Sequence, residues 1–479
     1  MIQHIAFGLA TALLSLALTL RLAGPDLPAF HRYTNRAYEA SPEAFCGLGR
    51  LAYLKEGQIH LLDGATDTIQ VVENSEGAGE MAWSQDGKWL AFVRNGELMI
   101  AAAAELDVHL VDLPGTVNRF AWSPAGNVLA VSLNPGEPAQ FGSPSDQATP
   151  ITDFPLPASG PAQPQARDVL EANRGPSEPA QSGGAIWLVT DPAEPKARPL
   201  LTLDRPVGAV AWSPDGDSLA YVSTLPGDAV ELRSDALEVV PASGGEPTQW
   251  YVADQAAIEL AGWWPDGQGI LFWAVPLHSP SIAADGLPLQ SLAVGSSEPI
   301  ALPTMLLNAS WISWDPSGKT LAVIAGGGRM AWDQKNLAFC DAAAGECRFL
   351  PQPKEQVTLD AAWSPGGEQI AMIRADRQPG MRRSRYREDL EAWAKSRTLW
   401  LTDPDGTSLR EIVSVGRGVH SPAWSKDGHH LLYVKDDALW VLDLKTNRTN
   451  RVISLQAENT QSEVHGAVNW WNGMTWHQR

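Results

Sequence analysis

The stretch Val210–Val222, VAWSPDGDSLAYV, constrains this chain more than any other, because much of the sequence repeats it. A short apolar run ends at Trp212, Ser213-Pro214-Asp215-Gly216 reverses the chain, and Leu219-Ala220-Tyr221-Val222 carries it back. Proline presets φ near about −65° at the second turn position, aspartate bonds its own backbone, and glycine takes the left-handed residue that ends the turn. Flanked by β-formers, this reads as a hairpin. Six further copies are MAWSQDGKWLAFV at Trp83, FAWSPAGNVLAVS at Trp122, AGWWPDGQGILFW at Trp263, ISWDPSGKTLAVI at Trp314, AAWSPGGEQIAMI at Trp363 and PAWSKDGHHLLYV at Trp424. A glycine follows each tryptophan by four residues: Gly87, Gly126, Gly216, Gly267, Gly318, Gly367 and Gly428. Successive tryptophans are 39, 90, 51, 51, 49 and 61 residues apart. A repeat of about 40–50 residues points to a propeller or solenoid.

After each turn come three more strand-like runs, so one unit is four strands, A before the turn and then B, C and D. Propellers repeat four-stranded antiparallel blades. An aromatic recurs in strand C, at Trp187, Trp400 and Trp440. The runs RLAYLK, QIHLLD and TIQVVE, from Arg50 onward, read as B, C and D of a blade lacking its A strand. HGAVNWW, His465–Trp471, is the expected supplier, since Trp470 lies 46 residues past Trp424. The expected fold is therefore all-β, a propeller of eight four-stranded blades with one shared between the termini, or seven if that blade does not close. The 20 tryptophans serve such a fold as flat fillers between sheets.

Ile5–Leu20 is apolar and free of charge, and with its neighbours reaches the ~20 residues that span a bilayer. Residues 1–23 thus read as a hydrophobic helix, an uncleaved anchor or alternatively a signal segment; no basic residue precedes it and no small-x-small cleavage site follows. Arg21, Arg32 and Arg36 lie on its C-terminal side, which the positive-inside rule assigns to the cytoplasm. Residues 24–48 form a linker and 49–479 the propeller. Two insertions interrupt the propeller. Asn134–Gly184 holds ten prolines in 51 residues and few large apolar groups, so it reads as a disordered loop. In Asp376–Ser396, Tyr386, Leu390 and Trp393 fall at helical spacing, beside the basic cluster Arg382, Arg383, Arg385 and Arg387. That cluster reads as a solvated helix face, or as a contact for an acidic partner. Both insertions follow a B strand, which places them on one face, opposite the Trp turns, where loops on a rigid scaffold usually bind.

The WSPDG turn followed by LAF or LAY and an LW-type strand resembles the TolB-like, WD-type propeller repeat, found also in propeller domains of prolyl-oligopeptidase-like peptidases. The resemblance covers about Gly49–Trp471. It implies an envelope, periplasmic setting and contacts with protein partners, although the TolB family's additional α/β domain is missing here. That setting conflicts with the arginine distribution. It agrees with a bridge between Cys340 and Cys347, which flank the hairpin LAFCDAAAGECRFL and would pair only in an oxidising compartment.

The chemistry-bearing motifs fail one by one. No G-x-S-x-G elbow is present: GDSLA at Gly216 ends in Ala220. His429 and His430 are adjacent and would point to opposite faces of a strand, and Asp403-Pro404-Asp405-Gly406 lacks the later acids of a calcium loop. A net charge of −20 argues against nucleic acid as partner. No cofactor and no metal or catalytic set is expected. The reading is a membrane-tethered, extracytoplasmic protein-binding or scaffold module, with an accessory subunit of a membrane complex, or a hydrolase or lyase using pore carboxylates, as alternatives.

Overall fold

The computed structural model describes residues 41–134, 183–226, 233–278, 280–381, 386–455 and 473–478. They form eight four-stranded antiparallel sheets arranged as the blades of a propeller. Blades 2 to 8 open with the inner strands Ala78–Trp83, Thr116–Trp122, Val207–Trp212, Ala256–Trp263, Ile312–Trp314, Gln356–Trp363 and His420–Trp424. Each of these strands ends on its repeat tryptophan, and inner strands of neighbouring blades touch around the axis. The turn that follows carries out its sequence chemistry. Gly216 sits at φ 75° and its N–H donates to the Ser213 carbonyl at 2.9 Å, while Ser218 N–H donates to Ser213 Oγ at 3.0 Å.

The tryptophans do more than fill space. The indole N–H of each of five donates to a carbonyl in the preceding blade: Trp122 to Ala82, Trp212 to Ala121 and Trp424 to Ala362 at 3.0 Å, Trp263 to Ala211 at 3.1 Å, and Trp83 to Thr475 at 3.0 Å. In every case the acceptor residue immediately precedes that blade's own inner-strand tryptophan. A buried indole needs a partner for its N–H, and the sheet edge alongside supplies one.

Blade 1 joins Arg50–Lys55, Gln58–Asp63 and Thr68–Val71 to an inner strand from the C-terminus. That strand is Met474–His477, with Arg50 opposite His477 and Tyr53 opposite Met474. This corrects the expectation for His465–Trp471 as the closing strand; those residues, Trp470 included, lie outside the described ones. The indole of Trp83 identifies the correct register, since Thr475 precedes Trp476 as Ala82 precedes Trp83. Trp476, 52 residues past Trp424, therefore holds the eighth repeat position. Spacing could not choose between the two candidates, because loop lengths vary the repeat from 39 to 90 residues.

Residues Ser41–Gly49 pack against this closure. Pro42–Phe45 makes one 3-10 turn, Phe45 is fully buried, and its ring lies 6.1 Å from that of Trp476. The Trp476 indole donates to the Leu48 carbonyl at 2.7 Å. Gly49, at φ 105°, passes so close to the His477 carbonyl that a Cβ there would collide with it. Both ends of the propeller, Gly49 and His477, thus meet on the Trp-turn face.

The first insertion lies between Leu129–Asn134 and Gly184–Thr190, strands B and C of blade 3, and its interior is outside the described residues. The second lies between Ile370–Asp376 and Thr398–Thr402 in blade 7 and contains the expected helix, Tyr386–Ala394. A shorter helix that the sequence did not signal, Pro280–Ala284 (α1), occupies the same place in blade 5, so the helix of blade 7 is α2. In blades 1, 2 and 8 the B–C connection is a two-residue turn with both central residues at positive φ: Glu56-Gly57, Asn95-Gly96 and Asp436-Asp437. The elaborated connections therefore gather over blades 3 to 7.

Candidate functional site

Two cavities among the described residues, one on each face, are candidate sites. On the Trp-turn face, a cavity of about 580 Å³ opens at the mouth of the central channel. Its walls include Trp314, Trp363 and Trp424 with Pro316, Pro365 and Pro422, while Gln85, Lys426, His477 and Gln478 supply polar atoms. Seven turns circle this mouth, but blade 1 is closed by chain ends and has no turn of its own. His477 and Gln478 occupy that sector, with the His477 ring over Gly87 and Gln478 Nε2 donating to the Trp424 carbonyl at 3.0 Å. The surrounding turns are acidic. Against desolvation, hydrogen bonds from Asn127, Ser84 and the Lys88 N–H hold the Asp86 carboxyl down at about 2. Asp215 is lowered by Ser213 and the Asp217 N–H, and Asp427, against desolvation, by Ser425 and the His429 N–H. The same Asx hydrogen bonds that build the turns thus keep this rim ionised at neutral pH.

On the opposite face, ion pairs join the elaborated loops. Arg329 of blade 6 grips Asp285 of blade 5 through Nε and Nη2, at 2.7 and 2.8 Å, and Arg377 of blade 7 meets Asp333 of blade 6 at 2.6 Å. Beneath them, fully buried Lys335 donates to the carbonyls of Gly327, Gly328 and Asp333 at 3.0, 2.7 and 3.2 Å. Burial pushes its ammonium down to about 8, with Asp333 opposing, so the three carbonyls still face a cation at neutral pH. Helix α2 docks through Trp393, which is 2% exposed, lies edge-on to Trp332 at 5.7 Å, and donates its indole N–H to the Asp376 carbonyl at 2.7 Å.

Between α2 and blade 8 lies the second cavity, about 280 Å³, lined by Glu391, Ala394, Lys395, Arg397, Gly418, His420 and Asp436. Arg397 and His420 are 2% and 9% exposed, and the guanidinium sits 4.6 Å above the Trp393 ring. Burial, and the nearby Arg397 charge, hold the His420 imidazole well below its usual range and therefore neutral. Asp360, at φ 44° in a bulge of the blade 7 inner strand, ties three blades together. Its carboxylate accepts from the Trp311 indole at 2.8 Å and from the Ser421 N–H at 3.0 Å, and it interacts electrostatically with Arg397. Burial raises its pKa against those three.

In the channel wall, Glu80 is accessible to solvent yet hemmed in by protein. Desolvation raises its carboxyl pKa, with Arg119 opposing. Among the described residues, no group of three or more His, Cys, Asp or Glu side chains is placed to hold a metal ion.

Of the residues singled out in the sequence, Trp314, Trp363 and Trp424 meet at the mouth of the channel, and Trp83, Trp122, Trp212 and Trp263, with Trp424 again, link neighbouring blades. Cys340 and Cys347 face each other in register across their hairpin and are joined, with Cα atoms 4.1 Å apart. Arg382, Arg383 and Arg385 lie outside the described residues, and Arg387 is described only as backbone in the first turn of α2. Sequence reasoning missed Asp360, Lys335, Arg397 and His420. The positions of the inserted loops were the only signal available, because each group comes from a different strand or connection.

No protein-family model matches the chain, and no curated protein matches it. Among solved structures, the chain is similar to oligogalacturonate lyase from Vibrio parahaemolyticus, at 12% identity and a TM-score of 0.40, over 81% of this chain and 83% of that one. It is similar to prolyl oligopeptidase B from Galerina marginata at 10% identity and a TM-score of 0.46, over 80% of this chain and 52% of that one. TolB from Acinetobacter baumannii aligns at 13% identity and a TM-score of 0.30, over 61% of this chain and 72% of that one. The eight-bladed propeller itself is read from the strand pairing.

Proposed function

We propose that this protein is a binding module that receives an extended, basic segment of a protein partner at the mouth of its channel. The observation that carries this reading is the 580 Å³ cavity itself, walled by three indoles and three prolines, with the Asp86, Asp215 and Asp427 carboxylates on the turns of the same face. Aromatic walls grip extended peptide with little ordering cost, and an acidic rim steers cationic chains toward it. We further propose that residues 1–23 tether the module to a membrane, with the propeller outside the cytoplasm in a TolB-like envelope role. Support for this comes from the apolar, charge-free run Ile5–Leu20 and from the Cys340–Cys347 bridge. Residues 24–40 could extend to at most about 60 Å, enough to leave the mouth accessible on a face that also receives the tether.

Fluorescence anisotropy with labelled peptides of matched length tests the first part. A basic, proline-containing peptide binds and weakens with salt, an acidic one does not bind, and Asp86→Lys with Asp427→Lys removes the difference. Equal binding of both peptides refutes the reading. Protease access to a C-terminal tag in spheroplasts tests the second part, and a tag protected until lysis places the propeller in the cytoplasm instead. A hydrolase or lyase reading has one specific support, the raised Glu80 carboxyl in the channel wall, which suits a proton donor. Glu80→Gln would abolish such an activity and leave peptide binding intact.

A further inference from the structure

The cavity between α2 and blade 8 lies on the face away from the channel mouth, and its charges are arranged by depth. Arg397 and His420 are buried, whereas Glu391, Lys395 and Asp436 are exposed around the opening. The deep groups are held in place before any ligand arrives. The Arg397 carbonyl accepts from the Gly418 N–H at 2.8 Å and from the Val419 N–H at 3.5 Å, and its guanidinium is stacked on Trp393. His420 opens the blade 8 inner strand, with Nδ1 3.5 Å from Ser421 Oγ. A neutral imidazole offers one donor and one acceptor without adding charge.

A simple anion reaching Arg397 passes a rim that is net negative, two carboxylates against the one Lys395 ammonium, and a simple cation drawn to that rim finds a guanidinium at the bottom. A molecule with a carboxylate at one end and an ammonium at the other satisfies both levels. Guanidinium presents its N–H donors in a plane that matches a carboxylate, so a carboxylate can be accepted in addition to the neighbours Arg397 already has. The volume, about 280 Å³, equals the share of roughly nine liquid waters and suits a molecule of amino-acid size.

We infer that this cavity is a second binding site, specific for a small zwitterion of the free amino-acid class, its carboxylate turned toward Arg397 and His420 and its ammonium toward Glu391 and Asp436. The site is separate from the channel mouth and does not depend on what binds there.

The test is calorimetric titration of the full-length protein with the twenty common amino acids, and with acetate and methylammonium as half-ligands. At least one amino acid is expected to bind saturably, at least tenfold tighter than either half-ligand. The variant Glu391→Gln with Asp436→Asn alters two exposed side chains and should melt as the parent does. It is expected to lose at least tenfold in affinity for the amino acid without weakening acetate, whose approach to Arg397 it makes easier. Arg397→Lys keeps the charge but loses the planar fork, and is expected to weaken the amino acid as well. The inference is overturned if no amino acid binds, if acetate alone binds as tightly, or if the double variant binds the amino acid as the parent does.

Discussion

Removing residues 473–479 withdraws the inner strand of blade 1 and should open the ring. Four residue pairs join Met474–His477 to Arg50–Tyr53. Three side-chain hydrogen bonds go with them: Trp83 to Thr475 at 3.0 Å, Trp476 to Leu48 at 2.7 Å and Gln478 to Trp424 at 3.0 Å. At about 0.5–1.5 kcal/mol for each bond in the ladder and in the side-chain set, hydrogen bonding alone contributes several kcal/mol. Burial of Met474, which is 5% exposed, adds about 1.5–3 kcal/mol, and partly buried Trp476 adds a comparable amount. The total is comparable to the ~5–15 kcal/mol net stability of an ordinary domain. The truncated chain should also expose the inner edge of Arg50–Lys55 and pair it with other molecules. Size-exclusion chromatography, limited trypsin digestion and calorimetry on parent and truncated proteins provide the measurement. Aggregation, rapid cleavage and loss of the cooperative melting transition are expected. A monodisperse truncated protein melting within a few degrees of the parent would show that blade 1 holds without its C-terminal strand, and the closure argument would be wrong.

Replacing residues 135–182 with a short Gly-Ser link should shift the melting temperature by only a few degrees, because a proline-rich segment with few apolar groups adds little burial; collapse of the fold would refute this. Trp212→Ala should cost about 3–5 kcal/mol in urea denaturation, and Trp187→Ala, half-buried on a third strand, clearly less. Lys335→Met should destabilise by roughly 1–3 kcal/mol by removing the donor shared by the Gly327, Gly328 and Asp333 carbonyls, and a neutral effect would mean that water replaces the ammonium. Because the folded pKa of His420 is depressed, its stabilising effect is full above about 6.5 and is lost as pH falls toward the folded value. Its contribution to the slope approaches ~1.4 kcal/mol per pH unit, and His420→Gln should flatten the stability curve between pH 6.5 and that value.

Much of the fold was legible because it rests on local rules repeated many times. Each Trp turn carries its own mechanism in its glycine together with proline, aspartate or both, and the apolar runs beside it read as strands. Copies at blade-length spacing, together with three orphan strands at the start, implied a ring shared between its ends. Tyr386, Leu390 and Trp393 likewise announced α2, since the helical period is written in the sequence. The closing strand escaped the same reasoning. Met474–His477 and His465–Trp471 both present β-formers and tryptophan, and the choice rests on an indole reaching a carbonyl 392 residues away.

The sites show the same division more sharply. The amino-acid sequence by itself determined the blade, the repeat, the acidic turns and the face that carries the insertions, because each follows from residues within a few positions of one another. Only the tertiary structure decided that Trp314, Trp363 and Trp424 converge on one cavity, or that Asp360, Arg397 and His420 meet across two blades. Curving eight sheets around an axis brings every inner strand next to partners one blade away, about 50 residues distant in the chain. No local pattern records that proximity. It is set by how many blades close the ring and by which strand closes it.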